Sequence, residues 1–211
     1  MTHPLSNSSL ATTVAAALKG TSLYLIGMMG SGKSTIAPLL AQHLAYQFFD
    51  TDTVIEQVTH SSIPDLFAQA GEESFRAIET QVLAELSPYG RKAIATGGGI
   101  VLKPENWSYL RNGVVIWLDV PLEILQARLQ DDQTRPLLQG TELSDRLHHL
   151  DQQRRNLYAQ ADLHIPITPP DTPNSICDRI LQALWQACQA KAAADQQTEW
   201  LNQSQPFQLQ R

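Results

Sequence analysis

Nine residues decide the fold of this chain, and they read Gly27-Met28-Met29-Gly30-Ser31-Gly32-Lys33-Ser34-Thr35. They fit the pattern G-x-x-x-x-G-K-[S/T] of the phosphate-binding P-loop. Glycines let successive backbone N–H groups point at one phosphate, and the helix that follows adds its unpaired N-terminal amides. The pattern predicts that Lys33 reaches the β- and γ-phosphates of a nucleotide and that the Ser34 hydroxyl binds Mg²⁺.

The segments on either side of this loop supply the strand and the helix that a P-loop connects. Before it, Leu23-Tyr24-Leu25-Ile26 is a short apolar run suited to a buried parallel strand. After it, apolar residues recur at helical spacing on one face, at Ile36, Leu39, Leu40 and Leu44. The alternative, a glycine-rich turn that binds nothing, would not require this order, so we expect a phosphate site.

Composition and charge narrow the class of protein. The chain has 211 residues, 43% of them hydrophobic, which suits one domain with a sizeable core and two tails. Its formal net charge of −6 and its lack of a basic tail argue against nucleic acid as the main partner. No run approaches the ~18 apolar residues of a membrane span, so no membrane partner is expected. No apolar heptad seam is present, so we expect a monomer.

Three regions are predicted along the chain. Residues 1–20 are rich in Ser, Thr and Ala and make a poor signal or transit peptide, so we expect a flexible N-terminal arm. Residues 21–190 are expected to form the domain. Residues 191–211 are rich in Gln and Ala without strong periodicity, so a disordered tail is expected. Cys177 and Cys188 fall in one predicted helix, too far apart for a disulfide, which suits a reducing, cytoplasmic location.

Strands alternate with helices along the domain, which predicts a parallel sheet with helices on both faces. Asp50 and Asp52 come at the end of the strand 47–50, at the sheet edge where α/β proteins bind ligands. The alternative is helix capping by Asp52 or Thr53, which does not explain both acids. Gly97-Gly98-Gly99 follows another strand and indicates either close approach of a ligand to the backbone or a sharp turn.

Arginines outside these motifs are less informative from spacing alone. Arg76 lies near the start of a predicted helix, where a solvated surface arginine is usual, and periodicity assigns it no role. The polar, proline-broken segment 131–140 has Arg135 at its centre. It is typical of a mobile loop that closes over a site, or of an exposed connector. The predicted helix that follows, at about 142–161, carries Arg154.

Taken together, these residues resemble the shikimate kinase family over about residues 18–184. Six motifs occur in the family's order and at similar spacings: Gly27–Thr35, Asp50-Thr51-Asp52, Phe75-Arg76, Gly97-Gly98-Gly99, Arg135-Pro136-Leu137-Leu138, and Arg154 four residues before Tyr158. The resemblance implies an α/β P-loop NTPase fold, a three-layer sandwich. Its five-stranded parallel sheet has the order 2-3-1-4-5, with helices on both faces and a mobile lid at about 129–141.

The resemblance also implies an activity, the transfer of the γ-phosphoryl group of ATP to the 3-hydroxyl of shikimate with Mg²⁺ present. Asp52 is implied to bind the substrate hydroxyls and to take the proton from the attacking oxygen. Arg76 and Arg154 are implied to clamp the substrate carboxylate, because planar guanidinium groups suit paired hydrogen bonds to carboxylates. The glycines of the triple motif are implied to line the same site: Gly97, Gly98 and Gly99.

On the nucleotide side, the resemblance implies a cradle built from Gly30, Ser31, Gly32, Lys33, Ser34 and Thr35. Arg128 matches the position at which family members stack an arginine on adenine. Arg135 is implied to come down with the lid onto the transferring phosphate, and Asp50 to hold Mg²⁺ through water. The implied catalytic residues are Lys33, Asp52 and Arg135.

The resemblance has a departure, and two alternatives to it stay open. Some family members carry an arginine near the start of the last helix, where it touches adenine, but residues 168–173 here read Thr-Pro-Pro-Asp-Thr-Pro. One alternative is a related P-loop kinase of another small hydroxy acid, such as gluconate, although the paired arginines and the triple glycine favour shikimate. The other is a catalytically silent nucleotide-binding relative, which would be expected to lose Lys33, Asp52 or Arg135.

Overall fold

A five-stranded parallel sheet forms the centre of the computed structural model, which describes residues 7–130 and 143–204. The side-chain description covers residues 9–130 and 143–197. The strands are β1 Leu23–Ile26, β2 Gln47–Asp50, β3 Lys92–Ala95, β4 Val114–Asp119 and β5 Leu163–Pro166. Their order in the sheet is β2-β3-β1-β4-β5, with every neighbouring pair parallel, which confirms the predicted order.

The helices pack in two groups against this sheet. They are α1 Asn7–Leu18, α2 Lys33–Leu44, α3 Thr51–Thr59, α4 Ile63–Leu86, α5 Pro104–Leu110, α6 Leu122–Leu129, α7 Leu143–Tyr158 and α8 Pro173–Ser204. In one group α1, α2 and α8 contact one another. In the other, α4, α5 and α7 meet around a short 3₁₀ turn at Ile100–Leu102. All four residues of β1 are fully buried, as the central strand of a covered parallel sheet must be.

The first helix corrects the prediction of a flexible arm over residues 1–20. α1 buries Leu10, Val14 and Leu18, which are spaced four residues apart and so share one face. This face joins the main core and contacts α8 and α2. The small Ser, Thr and Ala residues that suggested a loose segment occupy the rest of a well-packed helix. Residues 1–6 lie outside the described part of the chain.

The last helix corrects the predicted tail. α8 continues to Ser204, well past the expected end of the domain at residue 190, so residues 191–204 are helical. Residues 191–197 are exposed, which explains the lack of apolar periodicity. Ala, Gln, Glu and Lys are strong helix formers, so this segment can be helical without being buried. Among the described residues, no helix has both the length and the apolar character to cross a membrane.

The segment between β2 and β3 builds a smaller core of its own. α4 begins after Ser62, which caps it: the Ser62 hydroxyl accepts from the Asp65 N–H at 3.3 Å. Gly71 has φ 76° and ψ 172°, and this non-helical residue kinks α4 within its length. Ile55 of α3 packs on the α4 residues Leu66, Phe75 and Val82. This core positions the second half of α4 beside the sheet edge.

Two further expectations concern loops. The cap of α3 is Asp50, whose side chain accepts from two backbone N–H groups, so the suggested capping by Asp52 or Thr53 is wrong. The lid predicted at about 129–141 begins at the end of α6, but residues 131–142 lie outside the described residues. Arg135, in that segment, is therefore given no position.

Candidate active site

Two adjoining cavities lie at the carboxyl edge of the parallel sheet, where ligands bind in α/β proteins. The P-loop cavity, of about 350 Å³, is lined by the loop after β1 and the start of α2. The arginine cavity, of about 390 Å³, is lined by Arg76, Arg154 and the triple glycine. Both cavities are lined by Met29, Ser34, Asp50, Asp52 and Gly98. A group bound in one cavity can therefore meet a group bound in the other.

The P-loop has the conformation that a phosphate cradle needs. Gly27 has φ 140°, and a Cβ there would lie 2.7 Å from the Leu118 carbonyl oxygen, so a side chain is excluded. Gly32, at φ 97°, is the N-cap of α2, which places the first amides of that helix at the cavity. Lys33 is buried, and its Nζ donates to the carbonyl oxygens of Gly27 and Met28, both at 2.9 Å. The positive charge of Lys33 is therefore fixed against the backbone of the P-loop.

Ser34 and Asp50, the two residues predicted at the metal, are in contact. The Ser34 hydroxyl donates to Asp50 Oδ2 at 2.6 Å, while Asp50 Oδ1 accepts from the Asp52 N–H at 3.0 Å. These hard oxygen donors suit Mg²⁺, which binds through one or two protein ligands together with water and substrate phosphates. Within the described residues there is no cluster of three or more His, Cys, Asp or Glu side chains that could hold a metal alone.

Arg76 lies in a buried network of charges on α4. It is 7% exposed, and its guanidinium donates to Glu79 at 2.6 Å and to Glu72 at 3.0 Å. Glu79 is 1% exposed, and burial raises the pKa of its carboxyl, with the nearby Arg76 guanidinium acting in the opposite direction and Asp52 adding to the rise. Sequence reasoning missed Glu79. The signal for it was the spacing of three residues after Arg76 on one helix, which puts both on the same face.

Arg154 reaches the same cavity from α7. It is 2% exposed, and its Nη1 donates to the Gly98 carbonyl oxygen at 3.2 Å. Tyr158, one turn later, donates its hydroxyl to the same oxygen at 2.6 Å. Burial raises the pKa of Tyr158 to about 12, so this hydroxyl keeps its proton. Two side chains from one face of α7 therefore fix the middle glycine of the triple motif.

The triple glycine is explained by side chains that come close to its backbone. A Cβ on Gly97 would meet Glu79 Oε1 and would lie 3.0 Å from Asp52 Oδ1. A Cβ on Gly99 would fall on the Arg76 guanidinium. The groups that come close to this backbone are the chain's own charged side chains, and close approach of a ligand stays a prediction. Because Gly97 and Gly99 have no side chain, the Glu79 carboxylate and the Arg76 guanidinium can lie against the backbone at the cavity wall.

Arg128 is placed on the P-loop side. Its Nη1 donates to the Gly30 carbonyl oxygen at 2.9 Å, and it lines the P-loop cavity. The structure thus brings together every predicted site residue that it describes. The P-loop cavity is lined by Gly30, Ser31, Gly32, Lys33, Ser34, Thr35, Asp50, Asp52, Gly98 and Arg128. The arginine cavity adds Arg76, Gly97, Gly99 and Arg154.

The sheet order and the loop after its central strand define the class of this protein: it is a P-loop NTPase. A family model described as shikimate kinase matches residues 29–185, which is more than half of the chain. The chain belongs to the shikimate kinase family. The predicted resemblance is therefore confirmed, and so is the predicted fold class.

Individual relatives agree with the family model. The shikimate kinase of Microcystis aeruginosa is 58% identical over 167 residues, which cover 79% of this chain and 88% of the relative. A solved structure of shikimate kinase from Acinetobacter baumannii in complex with shikimate superposes with a TM-score of 0.74 at 33% identity. That match covers 84% of this chain and 98% of the other.

A gluconokinase from Sinorhizobium meliloti is a more distant neighbour. It matches with a TM-score of 0.52 at 13% identity, over 83% of this chain and 97% of the other. A likeness at that level shows a shared fold alone. The comparisons therefore favour the shikimate kinase family over the gluconate alternative.

Proposed function

We propose that this protein transfers the γ-phosphoryl group of ATP to the 3-hydroxyl of shikimate, giving shikimate 3-phosphate and ADP. One observation carries the proposal. Two buried arginines from different helices, Arg76 and Arg154, line a cavity that adjoins the P-loop and shares Asp52 with it. A small hydroxy acid can then be held by its carboxylate at one end while its hydroxyl faces the phosphate at the other.

In this proposal the two guanidinium groups bind the substrate carboxylate. Planar guanidinium groups donate paired hydrogen bonds to a carboxylate, and such bonds are strong where water is excluded. Glu79 holds Arg76, and the Gly98 carbonyl oxygen holds Arg154, so neither side chain needs to be ordered by the substrate. The site is thereby preorganised, which lowers the entropic cost of binding.

Asp52 is proposed to orient the acceptor hydroxyl and to take its proton. It lines both cavities, where the reacting groups must meet. The Asp50 side chain holds Asp52 at the start of α3, because Asp50 Oδ1 accepts from the Asp52 backbone N–H. The attacking hydroxyl oxygen needs to be positioned more than it needs covalent help, because phosphoryl transfer has a loose transition state.

The phosphate side of the reaction needs positive charge. Lys33 is proposed to contact the β- and γ-phosphates, and Arg135 to approach the transferring group with the lid. Ser34 and Asp50 would hold Mg²⁺, which neutralises charge on the β- and γ-phosphate oxygens when bound. The helix amides at the start of α2 add further donors to the cradle.

The remaining parts of the proposal concern the setting. We propose a cytoplasmic monomer that acts on ATP and shikimate, with neither nucleic acid nor a membrane as a partner. Free Cys177 and Cys188 suit a reducing compartment. The acidic net charge of −6 argues against nucleic acid.

A coupled ADP-release assay tests the function directly. The full chain is assayed with Mg²⁺ and ATP, and shikimate is compared with gluconate and with no acceptor. Saturable ADP release that depends on shikimate supports the proposal. ADP release with gluconate but not with shikimate would mean that shikimate is not the substrate. ATP binding without ADP release under any condition would favour a catalytically silent relative.

A further inference from the structure

The middle glycine of the triple motif lies where the P-loop comes close to α7. Gly98 lines both the P-loop cavity and the arginine cavity. A Cβ placed on this glycine would lie 3.3 Å from the Met29 backbone nitrogen and 3.7 Å from Arg154 Nη1. A side chain that fixes the Gly98 peptide therefore also fixes where the Arg154 guanidinium lies relative to the phosphate cradle.

The Gly98 carbonyl oxygen accepts two hydrogen bonds of unequal length. The Tyr158 hydroxyl donates to it at 2.6 Å, and Arg154 Nη1 donates to it at 3.2 Å. The hydroxyl has one proton, and the other acceptor near it, Met28 Sδ at 3.7 Å, is weak and distant. Burial raises the pKa of Tyr158 to about 12, so the proton is retained at neutral pH. The tyrosine thus supplies the shorter bond to this carbonyl.

The Arg154 guanidinium keeps donors for a ligand. A guanidinium has five N–H groups, and the bond to Gly98 uses Nη1. Its Nε is buried and has no acceptor among the residues whose side chains the structure describes. Paired hydrogen bonds to a carboxylate need such donors in a fixed plane. The plane of the guanidinium depends on the Gly98 carbonyl oxygen, which Tyr158 holds.

We propose that Tyr158 is a positioning residue for the acid group of the substrate. Its hydroxyl satisfies the Gly98 carbonyl oxygen, so the Arg154 guanidinium can turn its donors to the carboxylate. Without the hydroxyl, the carbonyl would depend on Arg154 as its donor, because a buried carbonyl without a hydrogen bond is costly. The substrate carboxylate would then compete with Gly98 for the guanidinium. The inference rests on the proposed function, which supplies the carboxylate.

Calorimetric titration of Tyr158→Phe with shikimate, in the absence of nucleotide, tests this proposal. The substitution removes one oxygen and keeps the ring, whose centroid lies 6.0 Å from that of Trp117, so the variant should fold. Its dissociation constant for shikimate should be about three to ten times that of the wild-type protein, the effect of one lost hydrogen bond. Its dissociation constant for ADP should change by less than about twofold, because backbone amides at the start of α2 build the phosphate cradle.

Tyr24→Phe is the matched control. Tyr24 lies on β1, is fully buried and is absent from the lining of both cavities. Its hydroxyl has no hydrogen-bond partner within the described part of the chain. The control therefore removes the same oxygen from an equally buried ring, and it should bind shikimate and ADP as the wild-type protein does. The stoichiometry of each titration reports the folded fraction, so a purely structural role of Tyr158 would lower the stoichiometry and leave both dissociation constants unchanged.

Three results would overturn the inference. They are a shikimate dissociation constant in Tyr158→Phe within about twofold of the wild-type value, equal weakening of shikimate and ADP, or equal weakening of shikimate by Tyr24→Phe. Failure of the proposed function has a different signature. A wild-type protein that binds shikimate but releases no ADP would overturn the kinase proposal, while the shikimate affinities would still test Tyr158. A wild-type protein that does not bind shikimate would overturn both.

Discussion

Replacing Arg76 tests whether its charge is needed for folding as well as for substrate binding. Arg76→Ala leaves the Glu79 carboxyl buried at 1% exposure without its guanidinium partner. Breaking a buried ion pair by removing one member costs about 3–5 kcal/mol. The second partner, Glu72, is 52% exposed and contributes little, because water screens it. Arg76→Ala/Glu79→Gln removes the orphaned charge as well.

In Arg76→Ala the buried Glu79 carboxyl can become neutral by taking up a proton. The free energy of that protonation is therefore the largest destabilisation that the unpaired charge can cause. At pH 7, protonating a carboxyl whose ordinary pKa is 4.5 costs about 3.4 kcal/mol, since each pH unit is worth about 1.36 kcal/mol. At pH 5 the same step costs about 0.7 kcal/mol. Burial raises the pKa of Glu79, and a carboxyl with a raised folded-state pKa loses stability as pH rises above its unfolded value. Arg76→Ala should therefore be much less destabilised at pH 5 than at pH 7.

Urea unfolding at the two pH values measures this effect. Relative to the wild-type protein, Arg76→Ala should lose up to about 2.7 kcal/mol more stability at pH 7 than at pH 5. The double variant should regain most of that loss at pH 7. Its KM for shikimate should stay high, because the guanidinium is still missing. Arg155→Ala is the control: Arg155 is 50% exposed in its pair with Asp119, so the loss should be about 1 kcal/mol or less at either pH.

Two results would refute this reasoning. The first is a destabilisation of Arg76→Ala that is equal at pH 5 and pH 7, which would mean that Glu79 carries no buried charge. The second is a double variant no more stable than the single one. Recovery of the shikimate KM in the double variant would instead refute the carboxylate clamp while leaving the stability argument intact.

Three further substitutions test other parts of the structure. Gly99→Ala places a methyl group on the Arg76 guanidinium, so the shikimate KM should rise about tenfold or more with the ATP KM unchanged; equal changes in both would contradict the geometry. Arg135→Ala should lower kcat by about 10³-fold or more with little effect on ATP affinity, and unchanged turnover would exclude the lid role. Val14→Ala, at a fully buried site of α1, should cost about 2 kcal/mol in urea unfolding, whereas a flexible arm would lose nothing.

The fold could be predicted from local signals because each of its decisive features is local. A P-loop fits between a buried strand and a helix, and the strand that precedes Gly27 is fully buried as expected. For residues 7–18 and 191–204, the prediction rested on composition, and the structure has both segments as helix. Leu10, Val14 and Leu18 form an apolar face, but only α8 and α2 make that face buried. Residues 191–197 are exposed, and their helix-forming residue types favour the helical state.

In the active site, too, some features follow from local sequence and others depend on tertiary packing. The phosphate cradle and the acidic pair at the end of β2 follow from contiguous residues, whose backbone geometry and side-chain chemistry are set within a few positions of each other. Arg76, Arg154 and Gly98 are far apart in the chain, and their meeting depends on how α4 and α7 pack on one sheet edge. Glu79 lies in the wall of the arginine cavity beside Arg76, and its burial there depends on the packing of distant segments.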